Sequence, residues 1–155
     1  MSDYTPLLRV CSLLNAEGAS YFIIGGYACI LHGIIRTTKD VDVLVEPSLA
    51  NLQKVLRGLA KMEDGWAKEI TPQDLLENVV VKISDEVEVD VSTQAWKVRY
   101  ADAVDSGQFV EIDGVRIPFV SIETLIASKE TYREIDQWDA AQLRLLAAQK
   151  KTGGK

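Results

Sequence analysis

The 21 residues from Gly25 to Val45, GGYACILHGIIRTTKDVDVLV, limit the folds open to this chain more than any other stretch. A short apolar run, Tyr21 to Ile24, reads as a buried strand and ends at the Gly25-Gly26 pair. A helix from about Tyr27 to His32 or Gly33 follows, then a basic loop with Arg36 and Lys39, then a second strand, Val41 to Val45. A strand, helix and strand packed this closely require a layered α/β arrangement. Strand side chains alternate, so Asp40 and Asp42 project from one face while Val41, Val43 and Val45 enter the core. Two carboxylates held side by side repel each other, and a bound cation relieves that repulsion; their oxygens suit Mg²⁺. The ordinary alternative for such a pair is a solvated strand face.

A second acidic strand changes the balance. In Val87-Glu-Val-Asp-Val91 the valines share one face and Glu88 and Asp90 the other, with Glu86 added if the strand extends backward. Beside Val41–Val45 it would bring three carboxylates together, enough to hold two metal ions that position a triphosphate and activate a hydroxyl. The pattern does not choose between Glu88 and Asp90, and an edge strand protected by acids explains it equally well. Glycines where a strand gives way to a helix let backbone N–H groups approach a phosphate, and Arg36 and Lys39 would add positive charge beside it. A tight turn and solvated loop charges are the plainer readings. His32, the sole histidine, reads as a helix-end residue, so neither a histidine metal site nor a Ser-His-Asp triad is supported.

The remaining chain reads as helices over Thr5–Glu17, Leu49–Met62 and a turn through Glu77, strands Val79–Ser84 and Val87–Ser92, and a hairpin of Phe109–Ile112 and Val115–Phe119 around Asp113-Gly114. Residues 96–105 are undecided between helix and ordered loop. Ser121 to Lys150 is continuously helical in pattern, with Ser121 as cap, and the tail Lys151–Lys155 is expected to fray. The expectation is one α/β domain over all 155 residues. Its core spans about 19–120, with a mixed twisted sheet, helices mainly on one side, and a C-terminal helical segment over about 121–150. With 17 basic against 23 acidic residues, the net charge of −6 disfavours a broad grip on nucleic acid. The longest uncharged, mostly apolar run, Tyr21–Ile35, is too short to span a bilayer, and no signal peptide opens the chain. Cys11 and Cys29 read as reduced core residues of a cytoplasmic protein.

The order GG, AcilHGiiRtTkDvDvlV resembles the signature of the DNA polymerase β-type nucleotidyltransferase superfamily: a glycine pair, a spacer containing a helix, an alternating acid pair, and a later strand with a third carboxylate. Here the spacer is the 13 residues between Gly26 and Asp40, and the third acid is best matched by Asp90 in VEVDVS. The form GGxAxxxHGxxRxTxDxDxxV is similar to small prokaryotic members, including antitoxin-type members of abortive-infection systems and relatives of antibiotic-modifying adenylyltransferases. Near the C-terminus, Lys129 followed by Arg133-x-x-Asp136-x-x-Asp139 is similar to a further family pattern.

The resemblance implies transfer of a nucleoside monophosphate from an NTP, with ATP favoured, to a hydroxyl, releasing pyrophosphate with Mg²⁺ or Mn²⁺ as cofactor. Gly25 and Gly26 would cradle the triphosphate. Asp40, Asp42 and Asp90 would bind metal, Asp90 also drawing the acceptor proton, and Lys129 with Arg36 and Lys39 would meet phosphate charge. Protein acceptors such as a partner toxin, or small molecules, are favoured over long RNA, although an RNA end fits the same motif. No membrane partner is expected, and oligomeric state and base preference stay open. The rival is an antitoxin-like or regulatory module that binds nucleotide or a partner without turnover.

Asp136 and Asp139 also have a structural reading, as a helix cap and its reciprocal acid dividing Ser121–Lys150 near Arg133. Lys129 shares a helical line with Ile122, Leu125 and Ile126, so it faces inward and needs a carboxylate or phosphate partner; phosphate is favoured.

Overall fold

The computed structural model describes residues 3–152. Helix α1 (Thr5–Ala16) leads into strand β1 (Tyr21–Ile24), helix α2 (Gly25–Leu31), strand β2 (Val41–Val45) and helix α3 (Leu49–Leu59). A 3-10 turn (Trp66–Glu69) and helix α4 (Pro72–Glu77) precede the hairpin of β3 (Val81–Ser84) and β4 (Glu88–Ser92). A small hairpin, β5 (Gln94–Ala95) and β6 (Val98–Arg99), helix α5 (Tyr100–Ala103), strands β7 (Gln108–Ile112) and β8 (Val115–Phe119), and helices α6 (Ile122–Ser128) and α7 (Glu134–Thr152) complete the order.

Six strands form one mixed sheet in the order β3-β4-β2-β1-β8-β7. The pairs β2·β4 and β1·β8 are parallel; β1·β2, β3·β4 and β7·β8 are antiparallel. Alternation sorts the central strands into two faces. Tyr21, Ile23, Val41, Val43, Val89 and Val91 are buried on the face met by α1 and α3. Two side chains fix the layers by hydrogen bonds: Tyr21 Oη donates to Asn15 of α1, and buried Asn51 of α3 bridges the backbone of Ser20 and Glu46. On the opposite face Phe22 packs against Tyr100 at 5.2 Å between ring centroids, which closes one end of the sheet. The other end of that face carries Asp42 and Asp90.

Several local expectations change. Helix α2 is entered directly at Gly25, whose left-handed φ of +69° makes the turn from β1, and Gly26 already lies in the helix. Residues 96–105 hold part of a two-strand hairpin and a single helical turn. The continuous helical pattern of Ser121–Lys150 gives way to the division near Arg133 that the capping reading offers, with Lys129 ending α6 and α7 starting at Glu134. Asp136 therefore lies inside the first turn of α7, not at its cap. Helix α7 continues through Thr152, so Lys151 and Thr152 of the expected frayed tail are helical; residues 153–155 lie outside the described residues. Cys11 and Cys29 are buried free thiols, and burial pushes both thiol pKa values up, to about 12 and about 11. No helix among the described residues is long and apolar enough to cross a membrane.

Candidate active site

The site starts from strand register. Asp42 of β2 stands opposite Asp90 of β4 in the parallel pair, and Lys82 of β3 stands opposite Asp90 on its other side. Lys82, Asp90 and Asp42 thus form one row across three strands. Asp42 is mostly buried: desolvation, then the hydrogen bond and charge of Asp90, push its carboxyl up to about 7. Lys82 Nζ donates to Asp40 Oδ2 at 2.9 Å and lies 3.1 Å from Asp90 Oδ1. The second contact is off the hydrogen-bond direction, leaving Asp90 Oδ1 buried without a hydrogen-bond partner. Glu88, beside Asp40 at the start of β4, is exposed, and the Asp40 carboxylate pushes its carboxyl upward. Between Glu88 and Asp90, the register assigns Asp90 to the pair with Asp42.

Asp42 and Asp90 therefore meet directly, whereas Asp40 joins them through the Lys82 ammonium. Among the described residues no three His, Cys, Asp or Glu side chains stand close enough to form a metal cage. The donor set still fits a hard divalent cation: oxygen ligands only, one buried carboxylate oxygen lacking a donor, and an acid pair whose repulsion calls for positive charge. The Lys82 ammonium supplies such charge between Asp40 and Asp90.

The glycines act by closeness. Gly25 has φ +69°, and a Cβ there would lie 2.0 Å from Asp42 Oδ2. Gly25 therefore abuts Asp42, not the far wall of the cleft. A Cβ on Gly26 would lie 2.6 Å from Thr38 Oγ1 and 3.4 Å from Arg36 Cζ, so Gly26 lets the basic loop fold over the start of α2.

The second wall comes from the α6–α7 junction. Lys129 is inward, 7% exposed, and donates to Asp139 Oδ2 at 2.8 Å, with Asp136 Oδ1 at 3.6 Å. Arg36 Nη1 donates to the same Asp139 oxygen. Fully buried Asp139 thus gathers two cations from distant parts of the chain, and its Oδ1 has no hydrogen-bond partner. Asp136 Oδ2 accepts from Thr131 Oγ1 at 2.6 Å. Of the two partners open to Lys129, the structure supplies carboxylates.

These residues enclose a polar cleft of about 350 Å³ lined by Gly26, Arg36, Lys39, Asp40, Asp42, Asp90, Lys129, Asp136 and Asp139, together with Thr38, Arg133 and Ile135. The residues that the family resemblance assigns to the site all line it except Gly25, which borders a neighbouring cavity with Asp42 and Asp90; Glu88, the other acid of β4, does not. Two basic residues were missed. Lys82 was legible in principle, because counting outward from the turn at residues 85–87 places it opposite Asp90. Arg133, with its side chain 75% exposed, carries no local signal of its own beyond the C-terminal pattern.

Carboxylates on adjacent strands facing a cation-lined cleft can bind a metal–polyphosphate, and comparison with known proteins agrees in class. No curated protein matches the sequence. Among solved structures, the fold is similar to an antigenic nucleotidyltransferase-like protein from Paracoccidioides brasiliensis (TM-score 0.57, 17% identity, 88% of this chain and 73% of that one). It is also similar to the lincomycin-bound lincosamide antibiotic adenylyltransferase LnuA (TM-score 0.57, 17% identity, 94% and 98%). A proposed nucleotidyltransferase from Thermotoga maritima gives a TM-score of 0.53 at 15% identity over 96% and 91% of the chains. At these identities the likeness is one of fold. Residues 3–152, nearly the whole chain, match the family described as "Nucleotidyl transferase of unknown function (DUF2204)", and the protein belongs to that family of nucleotidyl transferases.

Proposed function

We propose that this nucleotidyl transferase is metal-dependent and that it moves a nucleoside monophosphate from an NTP bound in the Asp42–Asp90 cleft to a hydroxyl acceptor, releasing pyrophosphate. The observation that carries the reading is the in-register pair of Asp42 and Asp90, half-buried, mutually repelling and open to a cleft lined with Arg36, Lys39, Lys129 and Arg133. Asp42 and Asp90 would hold Mg²⁺, and Asp40 would join them on release of Lys82. The bound ion would offset triphosphate charge and help ionise the acceptor hydroxyl. Gly26 and the Arg36–Lys39 loop would receive the phosphate tail, Gly26 by lining the cleft without a side chain and the loop by its two cations. Lys129, and Arg36 through the shared Asp139, would face the charge that develops on pyrophosphate as it leaves. Asp90 Oδ1, lacking a donor, is the atom placed to take the acceptor proton. The adenylyltransferase among the structural relatives makes ATP the first donor to test.

The test compares Asp42→Asn and Asp90→Asn with the wild type in transfer from α-labelled ATP, in pyrophosphate release, and in Mg²⁺ binding by calorimetry. Each variant is expected to lose activity by on the order of 10²–10³-fold and to lose Mg²⁺ binding. In the metal-free protein Asp42→Asn should raise stability by about 1–2 kcal/mol, because it removes one of two repelling half-buried charges. Wild-type transfer rates in both variants would exclude the assignment and favour a nucleotide- or partner-binding role.

A further inference from the structure

Asp42, Asp90 and Lys129 border not one cavity but two. The second, of about 450 Å³, lies on the side away from Arg36 and Lys39, and its lining differs in kind. Its outer wall is Val79, Val80, Trp96 and Tyr132, its inner wall keeps Arg133 and Asp136 in common with the polar cleft, and it adjoins a further hollow of about 490 Å³ that shares Val79, Gln94 and Trp96. Apolar side chains are unusually open here: Tyr132 is 89% exposed, Val79 83%, Val80 50% and Trp96 40%. The Trp96 and Tyr132 rings meet edge to face at 5.9 Å between centroids, so two exposed aromatics stand as a pair at the rim.

Trp96 also carries a backbone signal. It is the first residue of the two-residue turn between β5 and β6 and has φ +57°. Glycine and asparagine normally fill such a position, and a bulky residue there costs on the order of 1–3 kcal/mol. The turn does not need an indole; the cavity beside it does. A volume of this size suits a small organic molecule, and the chain's net charge of −6 disfavours long RNA.

We propose that this second cavity is the acceptor site, and that the acceptor is a small molecule with a hydroxyl on a flat, largely apolar body. The inference rests on assigning the Asp42–Asp90 cleft to nucleotidyl transfer. Trp96 and Tyr132 grip the apolar face, and the hydroxyl points toward the shared floor at Asp42 and Asp90. The acceptor oxygen forms a bond to the α-phosphorus. The bond from that phosphorus to the α–β bridging oxygen breaks, and its electron pair departs on pyrophosphate. The hydroxyl proton passes to Asp90. The polar cleft and the apolar cavity thus lie on opposite sides of one reacting centre.

The experiment incubates the full chain with α-labelled ATP, Mg²⁺ and an extract of its native host cells, then separates low-mass, protein and RNA fractions. Label is expected in low-mass species retained on a reversed-phase column. Trp96→Gly, which relaxes the turn, and Tyr132→Ala, at an exposed position, should each lower that labelling about tenfold, chiefly through the KM for acceptor. Calorimetric Mg–ATP affinity should stay that of the wild type. Label confined to protein or RNA would overturn the inference, as would Mg–ATP binding with no labelled small molecule, or wild-type labelling by both variants. Failure of the wild type to bind Mg–ATP would instead overturn the assignment of the first cleft.

Discussion

Gly25 and Gly114 both have positive φ, +69° and +80°, yet their surroundings differ. Gly114 turns the β7–β8 hairpin with nothing within 4 Å of a built Cβ, whereas Gly25 would drive a methyl into the Asp42 carboxylate. Gly114→Ala should therefore cost about 1–2 kcal/mol, the left-handed backbone penalty alone. Gly25→Ala adds overpacking of a further 1–3 kcal/mol or so and should displace Asp42. Urea unfolding of both variants, with Mg²⁺ binding as a second readout, checks the contrast; equal losses would mean that Gly25 serves only the turn. His32 offers a test by pH. Burial lowers its pKa from 6.5, and its Nε2 lies 2.8 Å from the Val120 carbonyl, so the neutral ring donates there. The unfolded chain takes up the proton more readily than the folded one. Stability is then intact above 6.5 and lost as pH falls through the lower folded value, with a slope of at most about 1.4 kcal/mol per pH unit. His32→Gln keeps a donor for Val120 and should flatten that slope in thermal melts between about pH 7.5 and 5.5.

At the scale of elements, α7 does more than cover the sheet. Its second turn delivers Asp139 to Lys129 and Arg36, joining the α6–α7 junction to the loop before β2. Asp139→Ala strands two cations with little solvent and should destabilise the fold by about 3–5 kcal/mol. Asp139→Asn, which keeps acceptor and shape, should lose less; denaturant midpoints rank the three proteins, and an unchanged midpoint for the alanine variant would remove the network from the fold's support. This junction also marks where reading from sequence is weakest: the Asp136–Asp139 spacing offers a division near Arg133, but assigns it to a cap that the structure does not have. Strands β1 and β2 and the Asp40–Asp42 alternation are local, so period and glycine punctuation suffice to find them. The split between α6 and α7 is different: Lys129-Glu-Thr-Tyr-Arg133 contains no glycine or proline to announce it. The chain leaves the helix where Lys129 turns inward to Asp139 and Thr131 Oγ1 bonds Asp136 instead of supporting a turn. Arg36 and Asp139 are 103 positions apart, and no local pattern predicts such a pairing. Asp90 is intermediate: alternation narrows the choice to two acids, and only the β2·β4 register separates them.

Across the whole molecule, the polar cleft is a seam. One wall is the sheet, with Asp40, Asp42 and Asp90; the other is the Lys129–Asp139 segment, with the Arg36–Lys39 loop between them. A chain of net charge −6 concentrates Arg36, Lys39, Lys129 and Arg133 there, so its cations are set against the overall field at one place. The Arg36–Asp139 ion pair ties the loop to the α7 wall, and Lys129 shares the same carboxylate from within that wall. A triphosphate with Mg²⁺ touching both walls should bind the folded protein alone and stabilise it by about 2.7 kcal/mol at a hundredfold excess over Kd. Ligand confined to one wall would protect only that wall, because local opening follows local contacts. Hydrogen exchange with Mg–ATP should therefore slow the amides of Arg36–Asp42 and of Arg133–Asp139 together, more than those of β7 and β8, which stand at the far edge of the sheet. Protection of the β2 side without the α7 side would place the nucleotide on the sheet alone and remove Lys129 from its phosphates.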